Sequence, residues 1–493
     1  MSSKIWSAAL NGLKSYLISV EAASGGGDFG AIKIIGLPDA ILSESRERIR
    51  SSLRQSGLPY PKRKITVNLG PADIKKSGSF YDLPIIISIL ALQNHFLFDF
   101  SDRLLDGELS LSGEIKPLRA ITPFILAAKK YGLKKAIIPL ENISEASLLD
   151  FPVIPVKNLT QLLEILYKKQ IPPSWRKKEI IPKGTSVSLQ IKGQNKAKRA
   201  LEISAAGGHH LLFSGRPGIG KTALINFLPQ LLPEPEKKEK EDILNIAAIA
   251  KINNLEYPLI NKRPFRRPPS NISPGVLSGS SRSLFAELSL AKHGLLFLDE
   301  LPNFSSATLA CLYQALDEGY YNSLQQKSYE RLAADFILAA AMNPCPCGLF
   351  EEKPGLCCCS QEQIRHYRRH LSQAFLERFD LQIKLTSSEK EATNNNDYQI
   401  NKEKIISARK KQEKRFGAKK HNASLNTEEL LRYLKIEQKA NSLAEKAFKK
   451  WRLSPRSQQK VLKISQTIAD LRDAAEIQEN DIAEALQYRQ FDL

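Results

Sequence analysis

The sequence has no apolar run long enough to cross a bilayer. Its longest strongly apolar stretch, Leu83 to Leu92, contains Pro84 and is well short of the roughly 20 residues a spanning helix needs. The opening residues, Met-Ser-Ser-Lys-Ile-Trp, lack the uninterrupted apolar core of a secretory signal, so a cytoplasmic chain without a membrane partner is expected. Cysteine is scarce, and five of the six fall between Cys345 and Cys359, a distribution unlike that of a secreted disulfide scaffold. Acidic residues are too few to balance the basic ones: 52 Asp and Glu stand against 72 Lys and Arg, for a net charge of +20 and a pI near 9.5. Such an excess favours a polyanionic partner, because phosphate neutralisation releases counterions, although surplus lysine also serves solubility. Nucleic acid is therefore the expected partner class. The 493 residues, 42% of them apolar, are enough for roughly two to four domains with cores of their own.

The most informative stretch is Gly215-Arg216-Pro217-Gly218-Ile219-Gly220-Lys221-Thr222, which follows the apolar run Leu211-Leu212-Phe213. It satisfies G-x-x-x-x-G-K-[ST]. Glycines let the backbone curl so that successive N–H groups point at phosphate oxygens, Lys221 adds charge toward the β- and γ-phosphates, and the Thr222 hydroxyl can ligate Mg²⁺. An ordinary strand, glycine turn and helix is the plainer alternative. The preceding strand, with Ala223 to Phe227 continuing as a helix whose N-terminus faces the phosphates, favours a nucleotide triphosphate site. Gln194, in the lead-in Ile191-Lys192-Gly193-Gln194, is a candidate for the adenine.

Downstream, Gly294 to Glu300 is an apolar run ending in two carboxylates, the pattern of a buried parallel strand with ligands beyond its carboxyl end. Asp299 can share Mg²⁺ with Thr222, and Glu300 is placed to orient or deprotonate the attacking water. A solvated Asp-Glu pair is the alternative. A further apolar strand, Phe336 to Met342, ends at Asn343, whose amide can bind the γ-phosphate or water. Arg378 in Phe-Leu-Glu-Arg-Phe-Asp and Arg456 in Leu-Ser-Pro-Arg-Ser can neutralise charge on a transferring phosphoryl group. Each alone is an unremarkable arginine, and the order of the whole set is what carries the reading.

The N-terminal 170 residues read as an α/β domain. Strands are expected at Ile32 to Ile35 and Lys64 to Leu69, with an exposed helix over Asp39 to Leu53 and a buried one over Leu83 to Leu92. A hairpin is expected to turn at Ser112-Gly113, and a helix over Pro123 to Tyr131 to stop at Gly132. Residues 171–186, with their prolines, glycine and charge, read as a linker. The ATPase core is expected over 187–385, a polar flexible junction over 386–401 with Asn394-Asn395-Asn396 inside it, and a helical lid over 402–493. The lid opens with a basic helix, Lys402 to Lys420, which reads as a solvated face or a DNA contact. Cys345, Cys347, Cys357 and Cys359 can offer four thiolates to Zn²⁺. Because C-x-C is tighter than the usual C-x₂-C, reduced and merely packed cysteines remain the alternative.

Several stretches resemble the YifB/ComM family, also called magnesium-chelatase-like. They include Ile35-Gly36-Leu37-Pro38-Asp39, Glu44-Ser45-Arg46-Glu47-Arg48, Ala206-Gly207-Gly208-His209-His210, Arg263-Pro264-Phe265-Arg266, Leu298-Asp299-Glu300-Leu301-Pro302, Met342-Asn343-Pro344-Cys345-Pro346-Cys347-Gly348 and Ala485-Leu486-Gln487-Tyr488-Arg489. The resemblance covers nearly the whole chain. It implies a Lon-protease-like N-terminal domain and an AAA+ P-loop core of the helix-2-insert type, in which Asn343 is sensor 1, Arg378 the arginine finger and Arg456 sensor 2. It also implies a hexameric, ATP-driven motor that migrates DNA branches in recombination and natural transformation. A chelatase-like remodeller of a protein or metallocofactor and a scaffold with a vestigial protease domain are the competing functions. Where the Lon pattern has its nucleophilic Ser and its Lys, this chain aligns Phe80 and Thr122, which implies a non-proteolytic domain. Ser79 and Lys76 form a weaker substitute pair. The chain also departs from the family at Pro268-Pro269-Ser270, at Ala286 and at Leu324-Gln325, all in segments implied to face a central pore.

Overall fold

Along Ile65–Gly70 buried and partly exposed residues alternate, so one face of that strand must lie against a core and the other against solvent or a thin layer. The computed structural model describes residues 2–25, 31–36, 39–74, 76, 78–93, 98–168, 193–252, 262–279, 286–325, 328–350, 356–369, 371–386, 399–417 and 420–489. The expected linker at 171–186 and most of the expected junction at 386–401, including Asn394 to Asn396, lie outside the described residues. Two compact units result, Met1–Lys183 with Lys237–Ile260, and Gly184–Glu236 with Asn261–Leu493.

The first unit holds strands β1 (Ser2–Asn11), β2 (Lys14–Ser24), β3 (Ile32–Ile35), β4 (Ile65–Gly70), β5 (Arg103–Leu105), β6 (Glu108–Leu109), β7 (Ile115–Lys116), β8 (Lys135–Pro139) and β9 (Val153–Val156). Seven of them form one mixed sheet in the order β3-β4-β2-β1-β5-β8-β9, and β6 pairs with β7. Helices α1 (Asp39–Gln55), α2 (Asp82–Leu92), α3 (Thr122–Lys130) and α4 (Leu159–Lys168) accompany it. Helix α2 is buried from Asp82 to Leu90, as its all-round apolar sequence requires. Its one charge is bound across to α1, where Arg48 Nε donates to Asp82 Oδ2 at 2.6 Å and Ser45 Oγ to Oδ1 at 2.5 Å.

The second unit is built on five parallel strands, β10 (Leu211–Ser214), β11 (Phe265–Arg266), β12 (Leu295–Leu298), β15 (Ile337–Met342) and β16 (Leu381–Lys384), in the order β11-β12-β15-β10-β16. A separate hairpin pairs β13 (Tyr320–Gln325) with β14 (Ser328–Ala333). Gln325, one of the departures, thus ends a strand. Successive residues of β10 and β12 enter different cores. Phe213 and Phe297 pack with helices α5 (Asn195–Gly207) and α6 (Lys221–Leu231), whereas Leu212, Leu296 and Leu298 pack with residues of the later helix α8 (Ser306–Glu318). Burial on both faces explains why these strands read as continuous apolar runs.

Between α6 and β11 the chain leaves this unit. Helix α7 (Lys237–Ile252) belongs to the first one, where Leu244 joins the core around α3, Asn245 donates to the Leu13 carbonyl at 3.1 Å and Glu241 pairs with Lys129. The interval 187–385 is therefore not one uninterrupted core. After α9 (Gln361–Arg368), the C-terminal part is helical as expected: α10 (Lys402–Phe416), α11 (Gln438–Lys450), α12 (Pro455–Leu471) and α13 (Glu479–Leu486) share the core of α5 and α6. Several basic residues of α10 are structural. Arg409 donates to the Ala205 carbonyl at 2.8 Å, Arg415 binds Asp470 and Lys411 binds Asp473, while Lys410 and Lys414 are exposed.

Candidate functional site

Parallel strands whose carboxyl ends point the same way gather their following loops at one edge of the sheet. Here β10 leads into the loop 215–220, β12 into Asp299-Glu300 and β15 into Asn343. The loop turns through left-handed conformations at Gly218 and Gly220, with φ of 73° and 109°, and α6 begins at Lys221. The Lys221 ammonium donates to the carbonyls of Gly215 at 2.6 Å and Arg216 at 2.9 Å and to Asn343 Oδ1 at 2.9 Å. Burial lowers its pKa against the opposing pull of Asp299 and Glu300. Thr222 Oγ1 donates to Asp299 Oδ2 at 3.2 Å. The adjacent Lys221 and Thr222 are thus bonded to Asn343 and Asp299 respectively, which brings the ends of three strands together.

Glu300 is held in a left-handed backbone conformation, φ 55°, which a non-glycine residue adopts at a cost of about 1 to 3 kcal/mol. Its side chain accepts from Asn303 Nδ2 at 2.9 Å. Gln194 is buried, with φ 56°, and donates to the Thr386 carbonyl at 3.0 Å. Among the described residues its buried Oε1 has no hydrogen-bond partner. A solitary buried acceptor beside the strand that runs into Thr386 suits the exocyclic amine of adenine, since an unmet acceptor is costly unless a ligand satisfies it. The residues present therefore fit an adenine nucleotide with Mg²⁺, for which Thr222 and Asp299 offer oxygen atoms.

Arg378 and Arg456 share a partner of their own. Both bind Asp317 at the end of α8, at 2.5 and 2.6 Å. Neither shares a described partner with Lys221 or Asp299. Burial opposes ionisation of Asp317, but Arg456 and Arg378 outweigh it and hold its carboxyl below the usual range. Arg378 is buried, donates to Tyr313 Oη at 2.7 Å and lies 4.4 Å from that ring's centroid. Lys460, one turn beyond Arg456 on α12, donates to the Arg378 carbonyl at 2.5 Å and pairs with Asp380 at 2.7 Å. Burial pushes its pKa down to about 8 despite that carboxylate. Sequence reasoning missed Asp317, Lys460 and Arg267, which binds Asp299 Oδ2 at 2.6 Å. Only Arg267 had a local cue, its place in the Arg-Pro-Phe-Arg-Arg segment.

The cysteines also converge. Cys345, buried, has its Sγ 3.3 Å from that of Cys347 and 3.7 Å from that of Cys357, and Cys347 lies 3.6 Å from Cys357. With Cys359 all four sulfurs lie within 4.8 Å of one another. Metal–sulfur bonds of ~2.3 Å in a tetrahedron give sulfur edges of about 3.8 Å, so the donor set fits Zn²⁺ in chemistry and spacing. The Leu349 N–H and the neighbouring thiols bring Cys347 down to about 6, whereas burial and the sulfurs beside them push Cys357 and Cys359 up, so that without a cation the cluster favours one thiolate shared among thiols. Cys358 is exposed and stands apart from the set.

The residues aligned with the Lon pattern are otherwise engaged. The Phe80 ring packs on Tyr81 and Phe124, and Thr122 Oγ1 donates to Glu145 at 2.9 Å. Ser79 donates to Glu108, and the buried Lys76 to the carbonyls of Pro71 and Ile74. Of the positions that depart from the family pattern, Ala286 is fully buried and Pro269 accepts from the Ile272 N–H at 3.1 Å. Among the described residues no helix is long and apolar enough to cross a membrane.

Comparison with known proteins places these features. Residues 20–142 match the family described as subunit ChlI of Mg-chelatase, 188–393 that of magnesium chelatase, subunit ChlI, and 397–489 its C-terminal family. Competence protein ComM of Haemophilus influenzae is 36% identical over 98% of this chain and 97% of its own length. The uncharacterized protein YifB of Escherichia coli is 33% identical over 94% and 92%. Lon protease 1 of Hydrogenovibrio crunogenus is 29% identical over 26% of this chain and 16% of its own.

Proposed function

Because this chain belongs to the ComM/YifB family of magnesium-chelatase-like AAA+ proteins, we propose that it is an ATP-hydrolysing motor that works on DNA as a homo-oligomeric ring, six subunits being expected. The joining of Lys221, Thr222, Asp299 and Asn343 at one sheet edge carries the reading. Lys221 and the loop amides bind the β- and γ-phosphates, and Thr222 with Asp299 holds Mg²⁺. That ion, when bound, neutralises charge developing on the phosphoryl oxygens. Asn343 keeps the ammonium aligned, and Glu300 takes a proton from the attacking water.

Arg378 stabilises transition-state charge on a neighbouring subunit's nucleotide, with Arg456 beside it. Their shared attachment to Asp317, which is not among the described partners of Lys221, is consistent with an assignment in trans. Head-to-tail contacts of this sort close into a ring or run on as a filament. The DNA substrate is supported by the +20 charge and by the ComM likeness, and branched DNA in recombination and transformation is the expected context. The N-terminal domain acts as a non-proteolytic scaffold, a reading supported by the separate partners of Ser79 and Lys76. The cysteine set holds Zn²⁺.

ATP turnover with forked DNA, duplex DNA and no DNA, at two salt concentrations, tests the proposal. Stimulation by DNA that fades with salt is expected. Equal turnover in all three contradicts a DNA motor and favours a chelatase-like remodeller.

A further inference from the structure

The cysteine cluster and the phosphate loop are joined at two points. The first is Asn343, two residues before Cys345, which accepts from Lys221 at 2.9 Å. The second is Gly348, one residue after Cys347. It has φ 82°, and a Cβ placed there would collide with Cδ of Pro217 and lie 2.9 Å from its Cγ. The bare face of Gly348 therefore rests against the proline at the centre of the phosphate loop. That glycine is fixed by a sulfur ligand, since its N–H donates to Cys345 Sγ at 3.2 Å and to the Cys345 carbonyl at 3.0 Å. On the far side, Cys357 and Cys359 run directly into α9, whose Arg368 donates to the Pro344 carbonyl at 3.0 Å.

We infer that the cysteine knuckle is a metal-held brace for the phosphate loop: a soft divalent cation of the zinc class, bound by Cys345, Cys347, Cys357 and Cys359, sets the neighbouring site's affinity for nucleoside triphosphate. Four sulfurs at this spacing are clamped by a metal far more firmly than by weak S–H contacts, and binding at such a site is local folding free energy. Without the ion, the arm bearing Cys357 and Cys359 is released from Cys345 and Cys347. The Gly348 N–H then loses its fixed sulfur acceptor, and Pro217 loses the surface that backs it. Lys221 keeps its charge but not its aim, because Asn343 sits on the same short segment. The inference rests on the ATPase and zinc readings above and adds a dependence of one site on the other.

The test uses the full chain. Metal content is measured by elemental analysis, and the Kd of a fluorescent, non-hydrolysed ATP analogue is measured before chelation, after exhaustive chelation and after zinc is returned. Circular dichroism reports that the fold is kept. Chelation should weaken nucleotide binding by about tenfold or more, as disturbed support of a site typically does, and zinc should restore it. Gly348→Ala should keep its zinc yet bind nucleotide about tenfold more weakly, because the added Cβ presses on Pro217 while all four cysteine ligands stay in place. Cys358→Ser should change neither quantity. An unchanged Kd in folded, metal-free protein, or normal binding by Gly348→Ala, overturns this inference and leaves the ATPase reading standing. Protein that never acquires zinc overturns the zinc reading and the inference together. A zinc-loaded chain that binds no nucleotide overturns the ATPase reading.

Discussion

Ser79 with Lys76 in the first unit, and Lys221 with Asn343 in the second, are both pairs of side chains with chemistry to offer, and they are partnered in opposite ways. Ser79 is given to Glu108 and Lys76 to two main-chain carbonyls. Each thereby settles a local polar group, and neither helps the other. Lys221 reaches Asn343 across 122 positions, and Thr222 reaches Asp299 across 77. Convergence of functional groups from separate strands onto one place distinguishes a working site from residues that merely resemble one.

The largest effects should come from breaking the convergent side. Glu300→Gln should retain ATP but lower turnover by about 10³-fold, within the range for loss of a general base, measured by single-turnover hydrolysis. Next in size, Lys221→Ala should weaken nucleotide binding by about 100-fold, the loss of charge-assisted hydrogen bonds to phosphate, read by titration with a fluorescent ATP analogue. If Lys221→Ala binds ATP normally, the two regions do not differ as described. Cys345→Ser with Cys347→Ser should empty a near-stoichiometric zinc site, checked by elemental analysis, and lower the Tm. The smallest effect belongs to the other side of the comparison. Ser79→Ala should leave ATP turnover unchanged and cost only about 1 kcal/mol of stability, the typical worth of one hydrogen bond, by denaturant unfolding. A loss of peptidase activity on Ser79→Ala would erase the contrast altogether.

What could be read from sequence was what short-range physics dictates. Lys221 and its glycines announce a phosphate loop because the curl, the charge and the helix start are contiguous, and the doubly buried strands β12 and β15 announce themselves by unbroken apolarity. Helices α1, α2, α3 and α10 start within a residue of their expected beginnings. Contacts across long separations leave no such trace. Nothing local marks Asp317 as the common partner of Arg378 and Arg456, the second of them 139 positions away. The residues of α7 likewise give no sign that they leave the nucleotide unit, because an amphipathic helix shows which face it buries and not against what. The cysteines are an intermediate case. Their spacing suggested four ligands, but only the 3.3 to 3.7 Å sulfur separations among Cys345, Cys347 and Cys357 identify a tetrahedral edge.

A motor working as a ring requires Arg378 to act on a neighbour's nucleotide, and mixing two defective proteins tests this directly. Arg378→Ala should bind ATP almost normally and hydrolyse it ~10³-fold more slowly, because an arginine in trans acts on charge present only in the transition state. Mixed with Lys221→Ala protein it should regain part of its turnover, since a subunit with an intact phosphate loop can then sit beside one with an intact arginine. ATPase measured across mixing ratios, with the mass of the assemblies followed in ATP, should show a maximum at intermediate ratios. A mixture that forms mixed assemblies yet shows no recovery, or a monomer that turns over ATP at the full rate, would contradict the account.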